Sequence, residues 1–513
     1  MNRNLTESQN DYAFFLPSIS GFYATFVGKQ RYSEYVDPAR VPAGVGGVEG
    51  LNFLNPQEGA FHYKWALYSA GHAELDVNKF SEKEDMLRNR DRDNSWLLGD
   101  SGGFQIAKGL WPGDWTDPNC PHAAKKRELV VNWMEEYMDY GMMLDIPTWT
   151  FQDPKASKAA NIHSYQDAVD ATHINARYYI ANRRGNFKVL NVLQGSNHAD
   201  ADGWYNEFKD YCDPVKYPTT HFNGWAMGGQ NMCDVHLILR RLVHMIHDGL
   251  LEQGLHDVMH FLGTSKLEWA VLLTDIQRAV RKYHNPNFMI TYDCASPFLA
   301  TANGQIYHSI RIEDRGKWSY MMSPGADSLK YATDTRKFSD AIVADGILDA
   351  FEDSPISNAC KMNDICIYSV GDTNKVGSPK IKAGEIDLDK HGNPILDENG
   401  NTMIRKKDST SWDSFSYALQ MGHNVWMHIE STQRANREYD AGKFPYMLID
   451  EKFERTLFKD VVDEIFSLKD RQKSLDMIEK YTKFWMQVIG TRLNVGKKTV
   501  NASTKFGELF EEK

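Results

Sequence analysis

Short apolar runs, each closed by a polar or glycine residue, recur along this chain and set its expected architecture. Trp96-Leu97-Leu98 leads into Asp100-Ser101-Gly102-Gly103-Phe104-Gln105. Gly141-Met142-Met143-Leu144 ends in Asp145, and Phe187-Lys188-Val189-Leu190-Asn191-Val192-Leu193 ends in Gln194-Gly195. Phe222-Asn223-Gly224-Trp225-Ala226-Met227 ends in Gly228-Gly229-Gln230, and Val258-Met259-His260-Phe261-Leu262 ends in Gly263-Thr264. Phe288-Met289-Ile290-Thr291-Tyr292 ends in Asp293-Cys294. Runs of this length bounded by turn residues read as buried strands. Helical periodicity covers 127–140, 164–182, 233–251 and 267–283 between them. Strands alternating with helices predict a parallel sheet covered on both faces. Strand ends that all present functional groups predict a closed (β/α)8 TIM barrel with its site on the C-terminal rim. An open doubly wound sheet is the alternative. No glycine-rich dinucleotide loop follows an early strand to support it.

The barrel is assigned to residues 56–350. Residues 1–55, aromatic- and glycine-rich, are expected to form a strand-and-turn extension that lids or plugs one end. Residues 351–440 hold Cys360, Cys366 and the pair His423-Asn424 around a polar, turn-rich insertion, 371–408, which reads as a protruding hairpin. Residues 441–513 are expected to be a helical extension, with Leu457, Val461, Ile465 and Leu468 at helical spacing. A chain of 513 residues exceeds a minimal barrel of roughly 250, so appended segments are expected.

Composition narrows the classes. No apolar run approaches the roughly 18 residues that span a bilayer, so no membrane partner is expected. The start lacks the apolar core of a signal peptide, and the cysteines are dispersed, which suits a reducing compartment and predicts a cytoplasmic protein. The net charge of −11 argues mildly against a broadly basic nucleic-acid surface. Local basic clusters do occur, at 125–127, 183–184, 240–241, 281–282, 405–407 and 497–498. Each reads first as a solvated helix face or turn.

Two acids dominate the candidate chemistry, Asp100 and Asp293. Both close apolar strands, and a barrel gathers such ends on one rim. Two carboxylates around a sugar carbon are the equipment for breaking a glycosidic bond: one attacks the anomeric carbon and the other manages a proton on the leaving group. Asp145 and Gln194 suit another role. A carboxylate accepts an N–H and an NH2 from one edge of a purine, while a carboxamide donates to a carbonyl oxygen, so the pair matches guanine or a deazaguanine. Gly228-Gly229 would offer a backbone N–H to that oxygen. Phe104 would stack on the purine plane, worth roughly 1–3 kcal/mol. For each residue the bland reading is a helix cap or a satisfied loop.

These motifs, in this order, resemble the tRNA-guanine transglycosylase family. The resemblance runs from about residue 94 to residue 304, with a weaker echo from 353 to 440, and Asp-Ser-Gly-Gly-Phe-Gln at 100–105 is its most specific element. It implies a TIM barrel that exchanges a guanine in a polynucleotide for a free 7-deazaguanine. It implies Asp293 as the nucleophile on C1′ and Asp100 as the general acid and base. Asp145, Gln194 and Gly229 would read the base edge, Phe104 and Leu262 would sandwich it, and Ser101 would support the site through its hydroxyl. Gln230, after the double glycine, would bear on the 7-substituent. It also implies a structural zinc, with Cys360, Cys366 and His423 as ligands.

Two departures redirect the substrate. The family's nucleophile loop carries arginines that touch RNA, whereas residues 293–304 here contain none. The family's cysteine cluster is reduced to Cys360 and Cys366, with Met362 between them. Both departures resemble the branch that inserts a 7-deazaguanine such as preQ0 into DNA, often in phage. DNA is therefore the expected polynucleotide and tRNA the alternative. A catalytically silent nucleic-acid-binding relative and an ordinary glycoside hydrolase are further readings. Further candidate partners are an ATP-driven helper that opens the duplex and a second copy of the chain.

Overall fold

The computed structural model describes residues 1–488, apart from 30, 33–35, 368–385, 387–392, 398, 405–409 and 451–455. Eight parallel strands form a nearly closed barrel surrounded by helices, the (β/α)8 class that the apolar runs predict. In chain order they are β1 (Phe14–Pro17), β2 (Trp65–Ser69), β3 (Trp96–Asp100), β4 (Tyr140–Met142), β5 (Lys188–Leu193), β6 (Gly224–Met227), β7 (Val258–Phe261) and β8 (Met289–Cys294). Each pairs with its sequence neighbour from β2 to β8, and β1 pairs with β8. The remaining seam, between β1 and β2, is held by a Ser18–Leu67 bridge and by the Ile19 N–H donating to the Leu67 carbonyl at 2.9 Å.

The barrel interior is packed. Leu16, Leu67, Leu98, Met142, Leu190 and Val192 meet there in one apolar cluster. Alternate residues of the same strands face the helices, so the strands read as near-continuous apolar runs. Helix Tyr165–Asn182 starts where Ser164 accepts the Asp167 N–H at 3.1 Å. Helix Val235–His247 starts where Asp234 accepts the Leu237 N–H at 3.2 Å. The first predicted helix is shifted: it spans Pro121–Tyr137, because the backbone turns extended at Met138 and Tyr140 already begins β4.

One expected boundary is corrected. The segment 1–55 is not merely an appended lid. Phe14–Pro17 supplies the first barrel strand, registered so that Leu16 lies beside Asp293. After β8, helix Ser296–Ala302 leads into an antiparallel hairpin outside the barrel sheet, β9 (Gln305–Arg311) with β10 (Ser319–Pro324). The 27-residue helix Ser414–Asp440 packs on helices Leu267–Tyr283 and Ser296–Ala302. The predicted helical C-terminal region follows as Phe458–Ser467, Arg471–Lys480 and Thr482–Gln487. Most of the insertion 371–408 lies outside the described residues, as do 489–513. Its described part carries antiparallel bridges Ile386–Ile404 and Leu396–Thr402, consistent with a hairpin. Among the described residues no helix is long and apolar enough to cross a membrane.

Candidate active site

A parallel barrel delivers the last residue of every strand to one rim. Here that rim opens on a cavity of about 680 Å³ whose walls include Asp100, Asp145, Gln194, Gly229 and Asp293. Asp100 is the final residue of β3 and sits in register with Ser69, the final residue of β2. Asp293 lies near the end of β8. The two acids predicted from strand exits therefore share one space, and Asp100 feels the charge of Asp293.

Their surroundings differ. Asp100 is held by the Ser69 hydroxyl, which donates to Oδ2 at 2.6 Å, and by a long 3.4 Å bond from the Gly102 N–H. Burial raises its pKa, and the nearby Asp293 pushes the same way. A carboxyl that pays desolvation with so few donors favours its protonated form. Asp293 receives the Gly263 N–H at 2.9 Å and pairs with His260 Nε2 at 3.2 Å. Both contacts fall on Oδ1, so Oδ2 carries no protein hydrogen bond among the described residues. His260 is fully buried, and its Nδ1 is engaged by the Thr291 hydroxyl at 2.8 Å.

Asp145 and Gln194 form a second pair in the same wall. Gln194 Nε2 donates to Asp145 Oδ2 at 2.7 Å, while Gln194 Oε1 is buried without a partner. Burial, with the Asp100 charge adding to it, pushes the Asp145 carboxyl up to about 7 against the pull of the Gln194 bond. The Gly228 N–H is used by the sheet, donating to the Leu193 carbonyl at 2.9 Å, which leaves the Gly229 N–H to meet a ligand. Gly229 has φ of 54°, and a Cβ there would lie 2.5 Å from the Gly195 carbonyl oxygen, so both conformation and space require glycine. Gly102 is similarly confined: φ is 85°, and the Trp111 ring rests against its Cα, 2.4 Å from where a Cβ would stand.

Phe104 and Leu262 both line the cavity. Phe104 meets Trp149 edge-on, with centroids 5.9 Å apart. Ser101 is buried, and its hydroxyl donates to the Met143 carbonyl at 3.4 Å, so it braces the end of the neighbouring strand. The Gln230 side chain, predicted to bear on the 7-substituent, lies outside the described residues. The sequence reading missed Ser69, His72, Lys108, Trp149 and His260. His260 alone had a local signal, a titratable residue inside the apolar run of β7.

The residues implied for zinc are not assembled as a metal site. Both nitrogens of His423 are engaged, Nδ1 with the Ser354 hydroxyl at 2.9 Å and Nε2 with the Tyr307 carbonyl at 2.8 Å. The thiols donate to separate carbonyls, Cys360 to Ile356 and Cys366 to Ala326. Burial raises both thiols above their ordinary value. Among the described residues no three His, Cys, Asp or Glu side chains converge on a point that could hold a metal.

The sequence matches no protein-family model and no curated protein.

Proposed function

We propose that this chain exchanges a guanine in DNA for a free 7-deazaguanine by transglycosylation. The observation that carries the reading is one cavity holding two carboxyls of unlike environment beside a carboxylate–carboxamide pair suited to a guanine edge. The target nucleotide leaves its stack and enters from the rim. Asp145 accepts from N1–H and the exocyclic NH2. The second N–H of Gln194 Nε2 and the Gly229 N–H donate to O6. Phe104 and Leu262 cover the ring.

The chemistry then balances in two displacements. A carboxylate oxygen of Asp293 attacks C1′ as the C1′–N9 bond breaks. The bond's electron pair passes to N9, which takes the proton held by Asp100. Guanine departs, leaving a glycosyl ester on Asp293 and an ionised Asp100. The incoming deazaguanine occupies the same pocket and gives its N9 proton to Asp100. N9 attacks C1′ and the ester bond breaks, restoring both acids. Two inversions retain the configuration at C1′. DNA is favoured over tRNA because the stretch after Asp293 offers Cys294, Ala295, Ser296 and Pro297 in place of arginines.

The test is incorporation of labelled guanine into single-stranded DNA, duplex DNA and bulk tRNA. Incorporation into DNA is expected, together with a covalent adduct stable to denaturation that disappears in Asp293→Asn. Incorporation into tRNA alone would replace the DNA assignment. A wild-type chain that neither exchanges guanine nor forms an adduct removes the reading altogether.

A further inference from the structure

One purine leaves much of the cavity unfilled, and the unfilled part has a chemistry of its own. Trp149 and Trp111 line its wall beside Phe104, together with Lys108. Lys108 Nζ stands 5.6 Å from the Phe104 ring centre and 5.9 Å from that of Trp149. Lys126 Nζ sits 4.5 Å over the Trp111 ring. Neither lysine forms an ion pair with a carboxylate among the described residues. All four side chains are only partly buried; Lys108, Trp111 and Trp149 line the cavity, and Lys126 stands over the Trp111 ring. Trp111 is fixed against the Gly102 backbone and reaches the rim beside Asp100.

Indole faces with unpaired ammonium groups at their edges are what single-stranded nucleic acid uses. Bases stack on the rings without regard to sequence, and phosphates meet the cations. A monosaccharide or a free base has no anionic group to engage Lys108 and Lys126. Resting on the transglycosylase reading, we propose that Trp111, Trp149, Lys108 and Lys126 form a second subsite at the cavity mouth. It holds the nucleotide that flanks the exchanged guanine in a single-stranded stretch of DNA. The flanking base stacks on an indole, and the phosphate joining it to the flipped nucleotide lies at the ammonium groups. The subsite keeps the flipped nucleotide's sugar within reach of Asp293.

The test separates polynucleotide from free base. Wild type, Trp149→Ala, Trp149→Phe and Lys108→Ala are titrated with a fluorescent single-stranded oligodeoxynucleotide containing one guanine, and separately with guanine. Trp149→Ala should weaken oligonucleotide binding by about 5–100-fold, the cost of one lost stacking contact. Guanine affinity should stay within about twofold, and Trp149→Phe should recover most of the loss. Lys108→Ala should lower the steepness of log K against log salt by about 0.7, one phosphate on a single strand. Wild-type oligonucleotide binding in Trp149→Ala and Lys108→Ala, with guanine still bound, would overturn the subsite and leave the transglycosylase reading intact. Equal losses for guanine and oligonucleotide would make Trp149 a wall of the base pocket and overturn the subsite too. If wild type binds no guanine, both readings fall. Tighter binding of the matching RNA strand, with the same response to the variants, would move the subsite from DNA to RNA and overturn its assignment here.

Discussion

Asp145 gives the sharpest quantitative handle on the base-reading edge. Its carboxyl is pushed up to about 7, chiefly by burial. Only the ionised form can accept two N–H bonds from a guanine edge. Those bonds would stabilise the charge, so the occupied site has a lower pKa than the empty one. At about pH 8 roughly nine in ten empty sites are already ionised, whereas at about pH 6 only about one in ten is. The apparent Kd for guanine should therefore rise about tenfold from about pH 8 to about pH 6, or about 1.4 kcal/mol. Calorimetry in two buffers of different ionisation enthalpy measures both the affinity and the proton count. Close to one proton should be released per guanine at the lower pH and almost none at the higher. Asp145→Asn should abolish the pH dependence, while Asp100→Asn should keep it. A flat Kd across this range without proton release would refute the assignment of Asp145 to the base edge.

Three other outcomes follow from the same geometry. Asp100→Asn removes the proton offered to N9 and should slow exchange by about 10²–10⁴-fold, read as kcat with the oligonucleotide saturating. Gly229→Ala forces a side chain into left-handed backbone against the Gly195 carbonyl and should cost about 1–2 kcal/mol, seen as about a tenfold higher KM for the free base. In the empty protein, the raised Asp145 carboxyl contributes stability that is present below its ordinary 3.8 and lost as pH rises through about 7. Asp145→Asn should consequently stabilise the fold at about pH 8, on the order of 2 kcal/mol, and change it little near pH 4, as thermal melts at both values would reveal.

What the sequence made legible and what it hid divide along a physical line. Strands β3 to β8 announce themselves because each is an apolar run long enough to stand out and ends in a residue unsuited to a core. β1 does not, because Phe14–Pro17 is only four residues, closes on a proline and sits in a stretch already rich in aromatics. Its membership in the barrel comes from pairing with β8, far along the chain. Asp100, Asp145, Gln194 and Asp293 were readable for the same reason as their strands: a strand exit is a local feature. Ser69 also closes a strand, but a serine there carries no chemistry that marks it, and Lys108 and Trp149 lie beyond the strand exits, where local pattern does not say which way a side chain turns. Ser101 was readable as a supporting hydroxyl, but its partner, the Met143 carbonyl, belongs to the neighbouring strand end and was not.

The two acids cannot exchange roles without changing their neighbours. A nucleophile must reach C1′ ionised, and Asp293 has a backbone N–H and the His260 imidazole on one oxygen. Thr291 on Nδ1 fixes that imidazole: if the threonine hydroxyl donates, Nε2 must carry the proton directed at Asp293. The other oxygen is then left to attack. Asp100 has one serine hydroxyl, a long backbone contact and a partly buried position in the same cavity as a second carboxyl. Such surroundings hold a proton and release it only when a stronger base, the departing N9, appears. In the proposed reaction, two like residues on one rim would thus take opposite roles because of their hydrogen bonds and not their identity. His260 is therefore as much a part of the proposed reaction as the acids, acting through Asp293: it fixes which oxygen attacks.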